Sequence, residues 1–440
     1  MKRIQLIPIL GCIILMGGSV KAQQYLSLEQ AIANALKSNY NVLLSKNDSA
    51  VAAIDYSYRN AALLPRLNAT VGTVWNNNNV NQTLADGSKR SSSGIKSNNI
   101  TGQLALNWTL YDGMRMFIAR DKIDQFIQLG ELGIKEQMVT TIAAVMNAYY
   151  AIVQQKQQLK AVEEQIDITN ERVKLAQAKL DIGTGAKPDL LQSKVDLNAF
   201  KAARLAQQTI IAQQTEVLVQ LMGGKPGTIY QVGDTIPVNL NLAQTDIMAN
   251  LDKSNPSLLL AQKNLDIAAI TLKEKKAERY PVLSFNANYN YNRTTNKKVI
   301  NNFSTLFNQT NGFNYGLTAT IPIFNNYSIK RQIQQLQLGI SYSQLAYNNQ
   351  RSLLELDIAR AFKDYEWQKK ALLLEEESIL LAKENETIVM QSYRLGGSTL
   401  LQLKEAQKSL EDARRRLITA RYLAKLAEIA LIQIKGDLLK

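Results

Sequence analysis

No histidine occurs anywhere in the 440 residues. That removes the usual general base, any Ser-His-Asp arrangement and the commonest zinc ligand. The single cysteine, Cys12, lies in the N-terminal leader-like segment, so the mature chain has no thiol, no disulfide and no Cys metal site. A phosphate-binding loop of the P-loop pattern is also missing, which argues against nucleotide hydrolysis. No carboxylate pair stands out for acid–base work, and Glu375-Glu376-Glu377 reads as a solvated helix stretch. The chain is therefore not expected to be an enzyme, nor to carry a metal or cofactor. Beyond the first 22 residues no apolar run reaches the roughly 18–20 residues of a membrane-spanning helix. Any entry into a membrane has to be made by strands.

What is present begins with a secretory pattern. Lys2 and Arg3 precede the apolar stretch Ile4 to Met16, and Val20-Lys21-Ala22 fits a small-residue cleavage site, so residues 1–22 read as a signal peptide. The formal charge is +14; Lys2, Arg3 and Lys21 account for three of these, leaving +11. Apart from Arg414-Arg415-Arg416 the cations are dispersed, without interleaved aromatic platforms. Contact with anionic lipid headgroups fits this better than nucleic acid, which is not an expected partner.

The mature chain repeats itself. Gly183 returns as Gly396, Ala148-Tyr149-Tyr150 as Ala361-Phe362-Lys363 and Gly223 as Gly436, all 213 residues on. Ser38-Asn39 returns as Ser254-Asn255 and Leu64-Pro65 as Tyr280-Pro281, both 216 on. The intervening hairpin is thus three residues longer in the first copy. The expected division is a first repeat over 23–223, a connector over 224–242 with Lys225-Pro226-Gly227, and a second repeat over 243–436. Two such elongated units, each unable to bury its own core, imply an assembly.

Within each copy a helix comes first, opened over 26–62 by Leu26-Ser27-Leu28-Glu29-Gln30-Ala31 with Ser27 as N-cap. Period-2 alternation then predicts four strands, about 67–76, 100–111, 282–292 and 313–324. One face carries Leu67, Leu106, Phe285 and Leu317. The other is uncharged and amide- and hydroxyl-rich, with Asn107, Thr109, Asn286, Asn288 and Thr318. Each stretch is about as long as a tilted membrane strand. The segments Asn77 to Asn98 and Arg293 to Asn311 read as long polar surface loops.

A proline-free helical pattern follows each hairpin, from Met114 to Leu180 and from Tyr327 to Leu395. In the first, Met138, Val145, Ile152, Leu159, Ile166, Val173 and Leu180 recur every seven residues, a coiled-coil seam. Some 65–70 residues give a helix of roughly 100 Å. Gly183-Thr184-Gly185 and Gly396-Gly397-Ser398 break it at tight tips, and return helices run from about Pro188 to Met222 and Thr399 to Ile434. The fold class is mostly α with a membrane β-barrel portion, in two tandem repeats of helix–strand–strand–long helix–tip–helix.

In that order and duplication, Leu26-Ser27-Leu28-Glu29-Gln30-Ala31, Asn34-Ala35-Leu36, Leu64-Pro65-Arg66-Leu67, Tyr280-Pro281-Val282-Leu283, Leu110-Tyr111-Asp112-Gly113, Ile321-Pro322-Ile323-Phe324-Asn325 and the two glycine tips resemble the TolC-like outer-membrane efflux protein family over essentially the whole mature chain. The resemblance implies a homotrimer with a twelve-stranded barrel in the bacterial outer membrane, continued by a periplasmic helical tunnel. Lipid edges agree: four strands cannot close a barrel, and an open edge in lipid leaves backbone groups unsatisfied. The resemblance also implies a passive exit duct for efflux or type I secretion, joined through a periplasmic adaptor to an inner-membrane pump. The strand faces become lipid-facing (Leu106, Leu317) and lumen-facing (Asn107, Thr109, Asn286, Asn288, Thr318). Gly183, Gly185, Gly396 and Gly397 become adaptor-docking tips. A periplasmic aperture maps to Asp189, Tyr393, Ser398, Gln402 and Glu405. Ser398 stands where the family carries an arginine, so Lys187 or Arg394 is the candidate cation of a lock with Asp189. A general diffusion porin shares the barrel but has no use for the heptad helices. A structural or nucleic-acid-binding coiled coil has no use for the strands. Cargo is not legible.

Overall fold

The computed structural model describes residues 24–300, 303–436 and 438. The leader-like segment 1–22 and Cys12 lie outside the described residues. The chain is mostly helical, with strands in two places. In chain order the first copy has β1 (Gln24–Leu26), α1 (Leu28–Ser38), α2 (Tyr40–Ser57), β2 (Arg66–Thr83), β3 (Lys89–Tyr111), α3 (Arg115–Asp181) and α4 (Lys187–Leu221). After β4 (Tyr230–Val232) the pattern recurs as α5 (Gln244–Ala249), α6 (Leu251–Ser254), α7 (Pro256–Ala277), β5 (Val282–Asn296), β6 (Phe307–Thr320), α8 (Ser328–Arg394) and α9 (Leu400–Lys435). No helix among the described residues is long and apolar enough to cross a membrane.

Packing does not follow the repeats. One compact unit contains the described residues of Met1–Asn39, Thr141–Leu240 and Tyr365–Ile429; the other contains those of Tyr40–Thr140, Asn241–Asp364 and Ala430–Lys440. Each therefore draws on both copies.

In the first unit, Ser27 caps α1: its hydroxyl accepts from Gln30 N–H while the Gln30 side chain accepts from Ser27 N–H, a reciprocal capping box. Strand β1 pairs in parallel with β4. Buried Tyr149 ties the two, donating to the Leu26 carbonyl at 3.1 Å and accepting from Gly233 N–H at 3.0 Å. The heptad positions Val145, Ile152 and Ile166 of α3 are buried, as a coiled-coil seam requires. The connector is held against α8 and α9. Val238 and Leu240 pack on Leu372, Ala420 and Ala424. Asn239 N–H donates to Glu428 at 2.9 Å, and the Asn239 carbonyl accepts from the Tyr365 hydroxyl at 2.8 Å. Glu428 also pairs with buried Lys425 at 2.8 Å. Burial, reinforced by the Glu428 charge, pushes the nearby Tyr150 hydroxyl up to about 12.

The repeated Ser-Asn and Gly residues meet in space. In the first unit, Asn39 donates to the Leu221 carbonyl at the end of α4, at 2.8 Å, and a Cβ on Gly223 would come 2.2 Å from Ser38 O. In the second unit, Asn255 donates to Ile434 O at 2.8 Å, and a Cβ on Gly436 would come 2.4 Å from Ser254 O. Both glycines have positive φ, +67° and +78°. The same clasp is thus built twice: an amide satisfies an orphan helix carbonyl while a glycine lets two backbones touch.

The second unit holds one antiparallel sheet in the order β2-β3-β5-β6. Two sequence expectations need correction here. The segments read as long loops are mostly strand: β2 continues to Thr83, β3 starts at Lys89, β5 reaches Asn296 and β6 starts at Phe307. Side-chain rungs support the extension, including Asn76 to Ser97 at 3.2 Å and Ser91 to Asn81 at 2.5 Å. The first turn closes over Asp86-Gly87, with Gly87 N–H donating to Leu84 O and Leu84 N–H to Ser88 O. In the other direction, β6 stops at Thr320 and not at 324, because Pro322 offers no ladder donor. At the two strand-to-helix corners, Gly113-Met114 and Asn326-Tyr327, again 213 apart, all four residues have positive φ.

Candidate functional site

The first unit contains the helix tips. At each, the long helix ends in the same hydrogen-bonded cap. Gly183 (φ +75°) donates to Leu180 O and Thr184 to Lys179 O; Gly396 (φ +82°) donates to Tyr393 O and Gly397 to Ser392 O. A Cβ on Gly183 or Gly396 would meet nothing within 4 Å. At Gly185 and Gly397 it would press on Lys179 Cβ at 2.8 Å and on Ser392 Oγ at 2.9 Å. Ser398 adds a hydroxyl–hydroxyl bond to Ser392 at 2.6 Å.

Beyond the second tip, Gln402 is exposed and folded back as a cap. Its side-chain oxygen accepts from Thr399 N–H at 2.9 Å, and Thr399 Oγ1 accepts from Gln402 N–H at 3.3 Å. This gives Gln402 a local structural task that the sequence reading missed. Glu405, one turn on, is exposed and shares a groove of about 410 Å³ with Arg172, Asp196, Phe200, Lys404 and Glu411.

Tyr393 is 6% exposed. Burial, helped by the charge of Asp189, raises its hydroxyl above the ordinary tyrosine range, with Arg172 opposing. Tyr393 and half-buried Asp189 therefore share one electrostatic neighbourhood. Lys179 places its ammonium 3.9 Å from the Tyr393 ring centre and 3.4 Å from its carbonyl.

The sequence also concealed a buried polar cluster. Arg172 on α3, its side chain 3% exposed, donates to Asp196 on α4 at 2.7 Å and to Gln407 on α9 at 3.0 Å. Lys404 reaches the same Asp196 oxygen at 3.0 Å, and Gln192 its other oxygen at 2.9 Å. Burial pushes the Asp196 carboxyl up, but the bonds from Gln192 and Lys404 and the charges of Arg172 and Lys404 outweigh it and hold the carboxyl low. The 213 offset puts Asn385 and Ser409 opposite Arg172 and Asp196, so the second copy has no equivalent. The arginine run is also committed: Arg414 to Glu164, Arg415 to Asp412 and Arg416 to Glu375. Glu375 and Glu376 (to Arg421) are thus paired across helices, a correction to the solvated-stretch reading.

In the second unit the sheet has two unlike faces. Register puts Trp108, Phe285 and Leu317 in one row, then Leu106, Ala287 and Tyr315, then Leu104, Tyr289 and Phe313. The opposite face carries Thr109, Ser284 and Thr318; Asn107, Asn286 and Gly316; Ala105, Asn288 and Asn314. Amides bridge the strands there, Asn286 to Thr318 at 3.3 Å and Asn288 to Asn314 at 3.2 Å. All five strand residues singled out from the sequence sit on this polar face, which also carries Arg66 of β2 opposite Asn107.

The outer membrane efflux protein family model matches residues 23–224 and 248–437. The chain belongs to that family. Among relatives, it is similar to the outer membrane protein TolC of Vibrio cholerae, 22% identical over 92% of this chain and 90% of the relative. It is also similar to the outer membrane efflux protein BepC of Brucella suis, 22% identical over 76% and 71%. Solved structures of like fold include the VceC outer membrane protein of Vibrio cholerae, with a TM-score of 0.73 at 16% identity covering 93% of this chain and 96% of that one. The CmeC outer membrane channel of Campylobacter jejuni gives 0.74 at 16%, covering 93% and 85%. As a member of this family the chain is an outer-membrane efflux channel.

Proposed function

We propose that this outer membrane efflux protein is a passive exit duct. In this reading three copies close a twelve-stranded barrel whose amide- and hydroxyl-lined face surrounds the pore, and the helices extend into the periplasm. A periplasmic adaptor seats on the tips at Gly183, Gly185, Gly396 and Gly397, and an inner-membrane pump supplies the energy. Residues 1–22 are the export leader that brings the chain there. The observation that carries the reading is the four-stranded sheet with one apolar face, one polar face and two open edges, β2 and β6.

Those edges favour head-to-tail association. Helix α2 leads into β2 and exposes Tyr40, Leu44, Val51 and Ile54, and Tyr58 just past its end continues the stripe, at intervals of four, seven, three and four. Helix α8 follows β6 and exposes Leu338, Tyr342 and Leu345 at intervals of four and three. Both are unpartnered coiled-coil stripes beside a free sheet edge. Alternating strand directions make β6 antiparallel to β2 of a second copy, so the contact is heterologous and closes as a ring. Asp189, Tyr393, Ser398, Gln402 and Glu405 then line the periplasmic entrance, with Lys179 as the cation held against Tyr393.

The test is purification of the tagged chain from outer-membrane fractions, with subunit counting and identification of crosslinked proteins. Three chains per particle, crosslinked at the tips to an adaptor, are expected. A monomer, or a particle that never meets an adaptor, refutes the reading.

A further inference from the structure

The far end of the sheet carries a charge pattern that an exit duct does not require. Across 66–111 and 282–320 the only acid is Asp86, in the first hairpin turn. The apolar rows from Trp108 to Ile100 take up nine residues of β3, the length of roughly 9–11 residues with which a tilted strand crosses an outer membrane. Trp75, Tyr289, Tyr291 and Phe313 share that face. From the Ile100 row onward the same face turns basic. Arg293 lies opposite Ile100, and its guanidinium stands 5.5 Å from the Phe307 ring centre. Four residues further along β5, on the same face, comes Lys297, whose N–H donates to the Lys96 carbonyl at 2.8 Å, which continues the β3–β5 register. Lys96 and Lys297 are therefore opposite one another on one face, and all three cations are exposed.

Like charges directly opposite on a sheet repel and cost stability. Among the described residues no carboxylate pairs with any of the three, and Asp86 is committed to Ser88. An anion supplied from outside removes the penalty. Its level is set by the sheet: among and just past the outermost aromatic residues Trp75 and Phe307, on the lipid side, at the ends of the strands remote from the helices. In an outer membrane that is the headgroup level of the outer leaflet, where a phosphorylated glycolipid presents its phosphates.

We propose that Lys96, Arg293 and Lys297 form an outward-facing belt that binds the phosphates of outer-leaflet glycolipid and so seats the channel in that leaflet. This rests on the exit-duct reading, which sets which face meets lipid and which strand ends point outward. Each cation beside an anionic lipid surface contributes roughly fivefold to binding, so the three together predict about a hundredfold, decreasing with salt.

The test uses the full assembled channel, delipidated in nonionic detergent and titrated with bisphosphorylated lipid A or its dephosphorylated form, bound lipid being counted by native mass spectrometry. The wild-type channel is expected to prefer the phosphorylated lipid. K96Q/R293Q/K297Q should lose on the order of a hundredfold in affinity for it, while K96R/K297R keeps wild-type binding because the charge is retained. Equal binding of both lipids by the wild-type channel, or undiminished binding by the triple glutamine variant, overturns the belt and leaves the exit duct standing. A wild-type chain that never reaches the outer membrane overturns both.

Discussion

The same residue type at the same backbone conformation should give two different costs in this chain. Gly183, Gly396, Gly223 and Gly436 all have φ between +67° and +82°. Replacing any of them by alanine carries the left-handed penalty of about 1–2 kcal/mol. At Gly183 and Gly396 that is the whole cost, because a new Cβ meets nothing within 4 Å. At Gly223 and Gly436 it would lie 2.2 and 2.4 Å from the carbonyl oxygens of Ser38 and Ser254. Those oxygens are backbone, fixed beside the asparagine clasps, so they cannot swing away. Forced overlap of this kind adds about 1–3 kcal/mol. G183A and G396A should therefore lose about 1 kcal/mol, and G223A and G436A about 3 kcal/mol or more. Denaturant midpoints of the purified channel, followed by helical circular dichroism, separate the pairs. If G396A is as damaging as G436A, or if G223A is neutral, the geometric reasoning is refuted. The comparison also prepares a functional test. The space around Gly396 is open and the strain of a β-branched residue at positive φ stays local to the tip, so G396V should leave channel in the outer membrane while abolishing efflux of the channel's cargo and adaptor crosslinking. Full efflux with G396V would show that the tip does not dock the adaptor.

The sheet faces predict that L106R and L317R each cost roughly 2–4 kcal/mol if near the bilayer midplane and fail to assemble. N107R should assemble normally, and equal yields of all three from outer membranes would reverse the assignment. In the proposed trimer three Glu405 carboxylates would converge at the entrance and focus cations, so E405Q should lower cation selectivity and weaken block by trivalent cations in planar bilayers; unchanged values move the constriction elsewhere. Asp196 is held below its ordinary value of 3.8, so its stabilisation is full above that value and fades as pH falls through the lowered one. Thermal midpoints of the wild-type channel should drop more steeply than those of D196N below about pH 4, and parallel acid limbs would show that the Arg172–Asp196–Lys404 cluster contributes nothing.

What the sequence disclosed and what it hid divide by how local the physics is. The tips were legible because a proline-free heptad run ending in glycine specifies a helix and its stop within a few residues. The capping box at Ser27 was legible for the same reason. Alternation gave the sheet faces, including all five polar strand positions. It failed at the strand ends, where Asn, Ser and Thr carry no apolar signal, and there the Asp86-Gly87 pair was the cue that the hairpin continued. Lys179 could have been found as the charge one turn before a tip that packs on the other tip, yet nothing local says that it meets Tyr393, 214 residues away. The Arg172 cluster is harder still. It joins residues 24 and 235 apart on three helices, and the repeat misleads, since Asn385 and Ser409 occupy the matching places in the second copy. Duplication predicts what the two copies share, which here is the clasp of Asn39 with Gly223 and of Asn255 with Gly436. What they do not share is the buried charge of Arg172 on Asp196, and that asymmetry is the part of the site that no period in the sequence can announce.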